Sequence, residues 1–242
     1  MLRDRTYWLI GASEGLGRAL AKALDAEGCR LILSARSEDR LRELAEELRA
    51  ARVLPLDVTD DDAVREAVEE AGDIDGLIYS AGAYEPMPAT DWDVPASLLM
   101  TDVNYKGAQR VIGYALPGMI DRNRGHIVVI GSISGWRGLP GAVGYGASKA
   151  ALMHLAENLY MDLKGTDIRV QQANPGFIRT RLTDKNEFDM PMIMDPDEAA
   201  AHVVKAMTSR RFATSFPGPM AWFFRLGARL PISWFRKIMN RG

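Results

Sequence analysis

The 242-residue chain has a single cysteine, Cys29. That excludes a disulfide framework and a thiolate metal cluster, and it suits a reducing compartment such as the cytoplasm. Histidine is almost as scarce. His126, His154 and His202 lie far apart, and none sits in metal-ligand spacing. An excess of one charge is also missing. The 30 Lys and Arg against 32 Asp and Glu leave a formal net charge of −2, without the basic footprint of a nucleic-acid binder. No uninterrupted apolar run approaches about 18 residues, so no transmembrane helix is expected. Met1 to Arg5 lead straight into strand-like residues, and no secretory signal region is expected. There is no low-complexity tract, no fixed-period repeat and no compositional break. What remains is an ordinary globular composition, 47% hydrophobic and 26% charged, read as one domain over residues 1–242.

Short apolar runs alternate with longer amphipathic ones. Strands are predicted at Thr6–Gly11, Arg30–Ala35, Val53–Leu56, Ile74–Tyr79, His126–Ile130, Ile168–Ala173 and Phe212–Phe216. Helices are predicted at Leu16–Glu27, from the cap Ser37 to Arg49, Asp60–Glu70 behind Thr59 as cap, Ser97–Arg122, Val143–Lys164 and Pro196–Thr208. Strands separated by helices imply right-handed crossovers. The expected fold is therefore α/β: one doubly wound, Rossmann-type domain with a mostly parallel seven-stranded sheet and helices on both faces. In such sheets ligands lie beyond the carboxyl ends of the strands, so chemistry is sought just after each one.

After the first strand stands Gly11-Ala12-Ser13-Glu14-Gly15-Leu16-Gly17, at the start of a helix. Gly11 permits a tight turn, Gly15 lets backbone approach a pyrophosphate, and Gly17 lets helix pack on strand. The helix N-terminus offers amide donors to phosphate. This G-x-x-x-G-x-G spacing resembles the short-chain dehydrogenase/reductase family, in its short single-domain branch. The usual Thr ahead of the first glycine is Ile10 here.

Tyr145 and Lys149 lie four apart in a predicted helix, on one face and one turn apart. A free tyrosine titrates near pH 10, so an adjacent ammonium is expected to lower it toward useful acid–base chemistry. The resemblance adds partners. Ser132, in Ile130-Gly131-Ser132-Ile133-Ser134-Gly135, matches the family serine that holds the substrate oxygen, with Ser134 a secondary candidate. Asn104, in Val103-Asn104-Tyr105-Lys106-Gly107, matches the family asparagine that holds a water linking the lysine to solvent. Asp57-Val58 resembles the adenine-contacting Asp segment, and also reads as a local cap before Thr59. Ser80-Ala81-Gly82 resembles the family's N-N-A-G, with Tyr79 and Ser80 in place of both asparagines. Asn174-Pro175-Gly176-Phe177-Ile178-Arg179-Thr180 resembles P-G-x-x-x-T, implying that the Ile178 backbone and Thr180 hold the nicotinamide carboxamide.

Where an NAD enzyme needs a carboxylate for the ribose 2′-hydroxyl, after the second strand, this chain has Ala35 followed by Arg36. Arg36 can fork onto a 2′-phosphate, and Ser13 and Ser37 add hydroxyls. The reading is NADP(H) rather than NAD(H). Glu14 in the glycine turn argues against it, and Arg36 could instead pair with Glu38 or Asp39.

The resemblance implies an oxidoreductase moving hydride between nicotinamide and a ketone or secondary alcohol, with Tyr145 as general acid/base. It also implies a homo-oligomer, dimer or tetramer. The apolar segment Met190–Met194 reads equally as a lid over substrate and as core or an oligomer contact; with the apolar end of the chain, a lid there suggests an apolar substrate. The rival reading is a catalytically idle NADP-binding sensor or scaffold. A sugar-nucleotide epimerase is disfavoured by the glycine spacing.

The extension Pro217–Gly242 gathers Trp222, Phe223, Phe224, Trp234 and Phe235 with Arg225, Arg229, Arg236, Lys237 and Arg241, and has no acid. Pro231 splits it into two segments too short to span a bilayer. The favoured expectation is docking onto the fold, because aromatic clusters in soluble chains are mostly buried. The alternative is peripheral membrane contact.

Overall fold

The structure is a computed structural model and describes residues 2–186 and 188–239; Arg241 lies outside them. Seven strands form one sheet: β1 (Thr6–Ile10), β2 (Arg30–Ser34), β3 (Ala51–Val53), β4 (Gly76–Tyr79), β5 (Gly125–Ile130), β6 (Ile168–Pro175) and β7 (Ala213–Phe216). Their order is β3-β2-β1-β4-β5-β6-β7 and every pairing is parallel. The helices are α1 (Gly15–Ala26), α2 (Glu38–Glu46), α3 (Asp61–Ala71), α4 (Val94–Thr101), α5 (Gly107–Asp121), α6 (Val143–Asp162), α7 (Pro196–Thr208), α8 (Gly218–Arg229) and α9 (Ile232–Met239).

Alternation along β1 divides the core in two. Leu9 packs on one face with Leu20, Leu24, Leu33, Val203 and Met207. Its neighbours Trp8 and Ile10 pack on the other with Leu77, Val111, Val129 and Leu152. This follows the two-residue period of a strand. Sheet order reverses between β1 and β4, and the crevice outside their carboxyl ends is where such folds bind ligands.

Three boundaries differ from expectation. β3 ends at Val53 rather than running to Leu56, and Pro55 falls where the N–H of this edge strand would face away from β2. Leu54 and Leu56 still donate to Leu33 and Ala35. Asp60, not Thr59, caps α3, its carboxylate accepting from the Ala63 N–H at 3.0 Å. The long middle helix starts earlier, capped by Asp93, and one π-helical turn at Asp102–Lys106 interrupts it. Such turns shift the bonding from i→i+4 to i→i+5 and are frequent at functional sites.

Candidate active site

The glycine turn is built by steric necessity. Gly11 sits at φ +90°, and a Cβ there would lie 2.5 Å from the Ala81 nitrogen. Only glycine takes both that backbone and that approach without strain. A Cβ on Gly17 would run into the Gly11 carbonyl, so α1 starts hard against the strand. The amides of Gly11 and Ala12 donate to the Ser34 carbonyl of β2 at 2.7 and 3.1 Å. Across the cleft, Gly15 faces the Thr180 methyl. The turn therefore meets Ser80–Ala81 on one side and the segment after β6 on the other.

The π-turn positions Asn104. Its side chain is fully buried. Oδ1 accepts the Ala83 N–H at 2.7 Å, while Nδ2 donates to the Ala83 carbonyl and the Ser148 hydroxyl, both at 2.9 Å. Ser148 in turn donates to the Tyr145 carbonyl at 2.9 Å. Asn104 thus clamps the β4 loop to the middle of α6, and both its amide hydrogens are committed. Tyr79, which replaces a family asparagine, donates its hydroxyl to the Val103 carbonyl within the same turn at 2.5 Å, tying the end of β4 to it.

Lys149 is buried, 5% exposed. Its ammonium donates to the Ile130 carbonyl at 2.9 Å and lies 5.9 Å from the Tyr145 ring centre. Burial pulls it down to about 8. A Cβ on Gly82 would stand 3.9 Å from its Nζ and 3.6 Å from Asn104 Oδ1, so loop, lysine and asparagine converge. The expected lowering of Tyr145 does not occur. Burial pushes the phenol up to about 12, outweighing a hydrogen bond with Ser132 that lowers it. The cause is solvation: a group removed from water resists ionising.

Ser132 accepts from both the Ser134 N–H, at 3.2 Å, and the Ser134 hydroxyl, at 2.8 Å. Its own proton is thereby left to donate outward. Ser132 is thus hydrogen-bonded to Tyr145, and the Lys149 ammonium stands 5.9 Å from the centre of the same ring.

Among the cofactor candidates, Ser13 is half-buried beside Leu16, which packs in the core. Asp57 is occupied locally, accepting from the Thr59 N–H and hydroxyl at 2.9 and 2.8 Å, and the Val58 carbonyl takes Arg110. Gly176 touches Met220 of α8. Ile178 is buried, bridged to Met194, and its carbonyl accepts from Thr183 at 2.7 Å. Met194, from the candidate lid, is core. Arg36 is exposed and makes no ion pair among the described residues; Glu38 pairs with Arg42 instead.

Four contributors escaped the sequence reading. Tyr84 stacks edge-on against Tyr145, ring centres 4.8 Å apart. Ser148 is the hub between Asn104 and Tyr145, and a serine in mid-helix was its one available signal. Arg40 and Arg181 both grip Glu14, at 2.9 and 2.6 Å, from positions no local pattern connects.

The comparisons agree with this construction. A family model described as short chain dehydrogenase matches residues 5–190. An uncharacterized oxidoreductase of Myxococcus xanthus (strain DK1622) is 37% identical over 237 residues, covering 94% of this chain and 93% of the relative. A short-chain dehydrogenase from Sphingobium yanoikuyae, solved in complex with NADPH, is 29% identical with TM-score 0.83, covering 93% of each chain. The closed form of a serine dehydrogenase complexed with NADP+ is 28% identical with TM-score 0.80, over 87% of this chain and 94% of that one. Sequence, sheet order and glycine turn agree: the chain belongs to the short-chain dehydrogenase family and is an oxidoreductase of that family.

Proposed function

We propose that the protein is an NADP(H)-dependent carbonyl reductase or alcohol dehydrogenase acting on an apolar ketone or secondary alcohol. The observation that carries this reading is a buried Lys149, 5.9 Å from the Tyr145 ring centre, with Ser132 hydrogen-bonded to Tyr145 and the Asn104–Ser148 clamp bonded to the Tyr145 carbonyl. A catalytically idle NADP-binding sensor or scaffold would have no use for it.

The residues present fit the cofactor. Gly11 and Gly17 let β1, the Ser80–Ala81 segment and the start of α1 approach more closely than any Cβ allows, and the α1 N-terminus so placed offers amide donors suited to a pyrophosphate. Arg36 stands unpaired where a 2′-phosphate is expected. Ser80, Ala81 and Gly82 would border the ribose, Asp57 and Val58 the adenine, and Pro175, Gly176, Ile178 and Thr180 the nicotinamide. The NADP+ and NADPH bound by the similar solved proteins support the same choice. When bound, the nicotinamide supplies or accepts the hydride.

The chain's own residues handle the proton. Ser132 donates to the carbonyl oxygen and orients it. Tyr145, neutral at pH 7 because burial holds it near 12, is a proton donor to the same oxygen as charge develops there. Lys149 keeps its charge below about 8 and stabilises the phenolate left behind. Leu98, Leu99, Tyr160 and Met161 are exposed, in keeping with a homo-oligomer.

The test is Tyr145→Phe assayed for NADPH oxidation over a ketone panel. The variant should bind NADPH nearly as the parent does and lose about 100-fold or more in turnover. Undiminished turnover on an accepted ketone would overturn the assignment.

A further inference from the structure

The extension after β7 divides its side chains between two environments. On α8, Met220, Ala221, Phe224 and Gly227 are buried. On α9 it is Phe235. These meet Ile133, Trp136, Leu139 and Phe177 in a small separate core. Arg137 staples the arrangement, donating to the Leu230 carbonyl at 2.6 Å with its guanidinium over the Phe235 ring. The expected docking onto the fold is therefore present, and it accounts for one face of each helix.

The opposite face remains. Trp222, Leu226 and Arg229 follow at i, i+4 and i+7 along α8, directly opposite the docked residues. Trp234, Lys237 and Ile238 follow at i, i+3 and i+4 along α9. Trp222 is 65% exposed and Trp234 62%, against the habit of tryptophan to bury its ring. Leu226, Ile232 and Ile238 are exposed too, as is Phe223, although its ring also meets Phe224 and Phe235. Arg229, Arg236 and Lys237 supply three cations, Arg225 lying over the Trp136 ring of the docked core, and the described part of the extension has no acid. The rest of the surface mixes both signs, as its many ion pairs record.

That combination selects the occupant. An isologous contact with a second copy would set these cations against their own images with no acid between them. Nucleic acid would leave Leu226, Ile232 and Ile238 in water. An anionic bilayer satisfies both halves: indole and apolar side chains at the headgroup boundary, guanidinium and ammonium on lipid phosphate. No described helix is long and apolar enough to cross a membrane, so the contact is with one leaflet. We propose that α8 and α9 form a preformed, monotopic docking face for an anionic lipid surface.

The experiment is cosedimentation of the full chain with vesicles of phosphatidylcholine alone or with about one-third phosphatidylglycerol, at low and high salt. The variants are Trp222→Ser with Trp234→Ser, and Arg229→Gln with Lys237→Gln. All four side chains are exposed, so the fold should survive, checked by circular dichroism and size-exclusion chromatography. The parent should bind the anionic vesicles and release at high salt. The tryptophan pair should weaken binding at least about tenfold and the cation pair about fivefold per charge removed. A parent that does not bind anionic vesicles overturns the proposal, as does binding that neither variant weakens. A dimer that the tryptophan pair breaks, with no vesicle binding, assigns the face to a second copy instead.

Discussion

Replacing Asn104 by alanine tests how the site is held together. The amide is fully buried and makes three hydrogen bonds, to the N–H and carbonyl of Ala83 and to Ser148 Oγ. These losses are unequal. Ser148 keeps its bond to the Tyr145 carbonyl, so its oxygen merely loses a donor. The Ala83 carbonyl keeps a lone pair that a water could reach. The half-buried Ala83 N–H loses its acceptor outright, which costs about 1–3 kcal/mol to the extent that water does not replace it. With the vacated volume added, Asn104→Ala should destabilise the fold by about 3–4 kcal/mol. In a protein of this size that lowers Tm by roughly 10 °C. Urea unfolding measures it. Ser148→Ala loses only one end of the clamp and should cost about 1–2 kcal/mol. Because the two side chains touch, the double variant should fall short of the sum by about 1 kcal/mol. A loss under 1 kcal/mol for Asn104→Ala, or strict additivity with Ser148→Ala, would refute the clamp.

Other outcomes follow from the same structure. Arg36→Ala should weaken NADPH binding about 10-fold or more while leaving NADH nearly unchanged, as titrations with both cofactors would show; equal weakening of both would place Arg36 elsewhere. His126, buried between Tyr7 and Gln171 at 2.8 and 2.9 Å, is pulled down by burial to about 4. The folded state thus binds its proton less readily than the unfolded chain, which titrates near 6.5. Its contribution is complete above about pH 6.5 and is lost as pH falls toward 4, about 3 kcal/mol in all. Urea unfolding across that window should show the slope in the parent and a flatter one in His126→Gln. An unchanged slope would exclude His126 as its source.

What was legible in the sequence was whatever a local pattern carries. Strands buried on both faces read as apolar runs, so β1, β4, β5 and β6 were visible, and the glycine turn announced the first crossover. Tyr145 and Lys149 were visible because helical spacing alone sets them on one face. The π-turn was not, since nothing in Asp102–Lys106 distinguishes an i→i+5 turn from an ordinary one. The direction of the Tyr145 shift was misjudged for a related reason. Spacing reveals that a lysine is near, but not that its ammonium is bonded to Ile130 or that burial outweighs it. Tyr84, Arg137 and Arg181 act through contacts 102, 93 and 167 residues away in sequence, which no window can see.

Glu14 shows how such distant contacts change a local reading. A carboxylate in a phosphate-binding turn should repel its ligand, and from sequence it weighs against NADP(H). In the fold, Arg40 from α2 and Arg181 from beyond β6 both bind it, so the group presented to a phosphate is net positive, and Arg36 adds to it. These pairs are partly exposed, and their worth to stability is small. Their effect on an anion bound at this turn would be a different matter, because removing one unmasks a negative charge. Arg40→Ala should therefore leave the unfolding midpoint nearly unchanged yet weaken NADPH about threefold to tenfold at low salt. The deficit should shrink as salt rises, since exposed charges are screened over about 10 Å at 0.1 M. Glu14→Gln should go the other way, holding NADPH at least as tightly as the parent. If Arg40→Ala binds NADPH normally at low salt, Glu14 is not masked by Arg40, and the preference for NADP(H) rests on Arg36 alone.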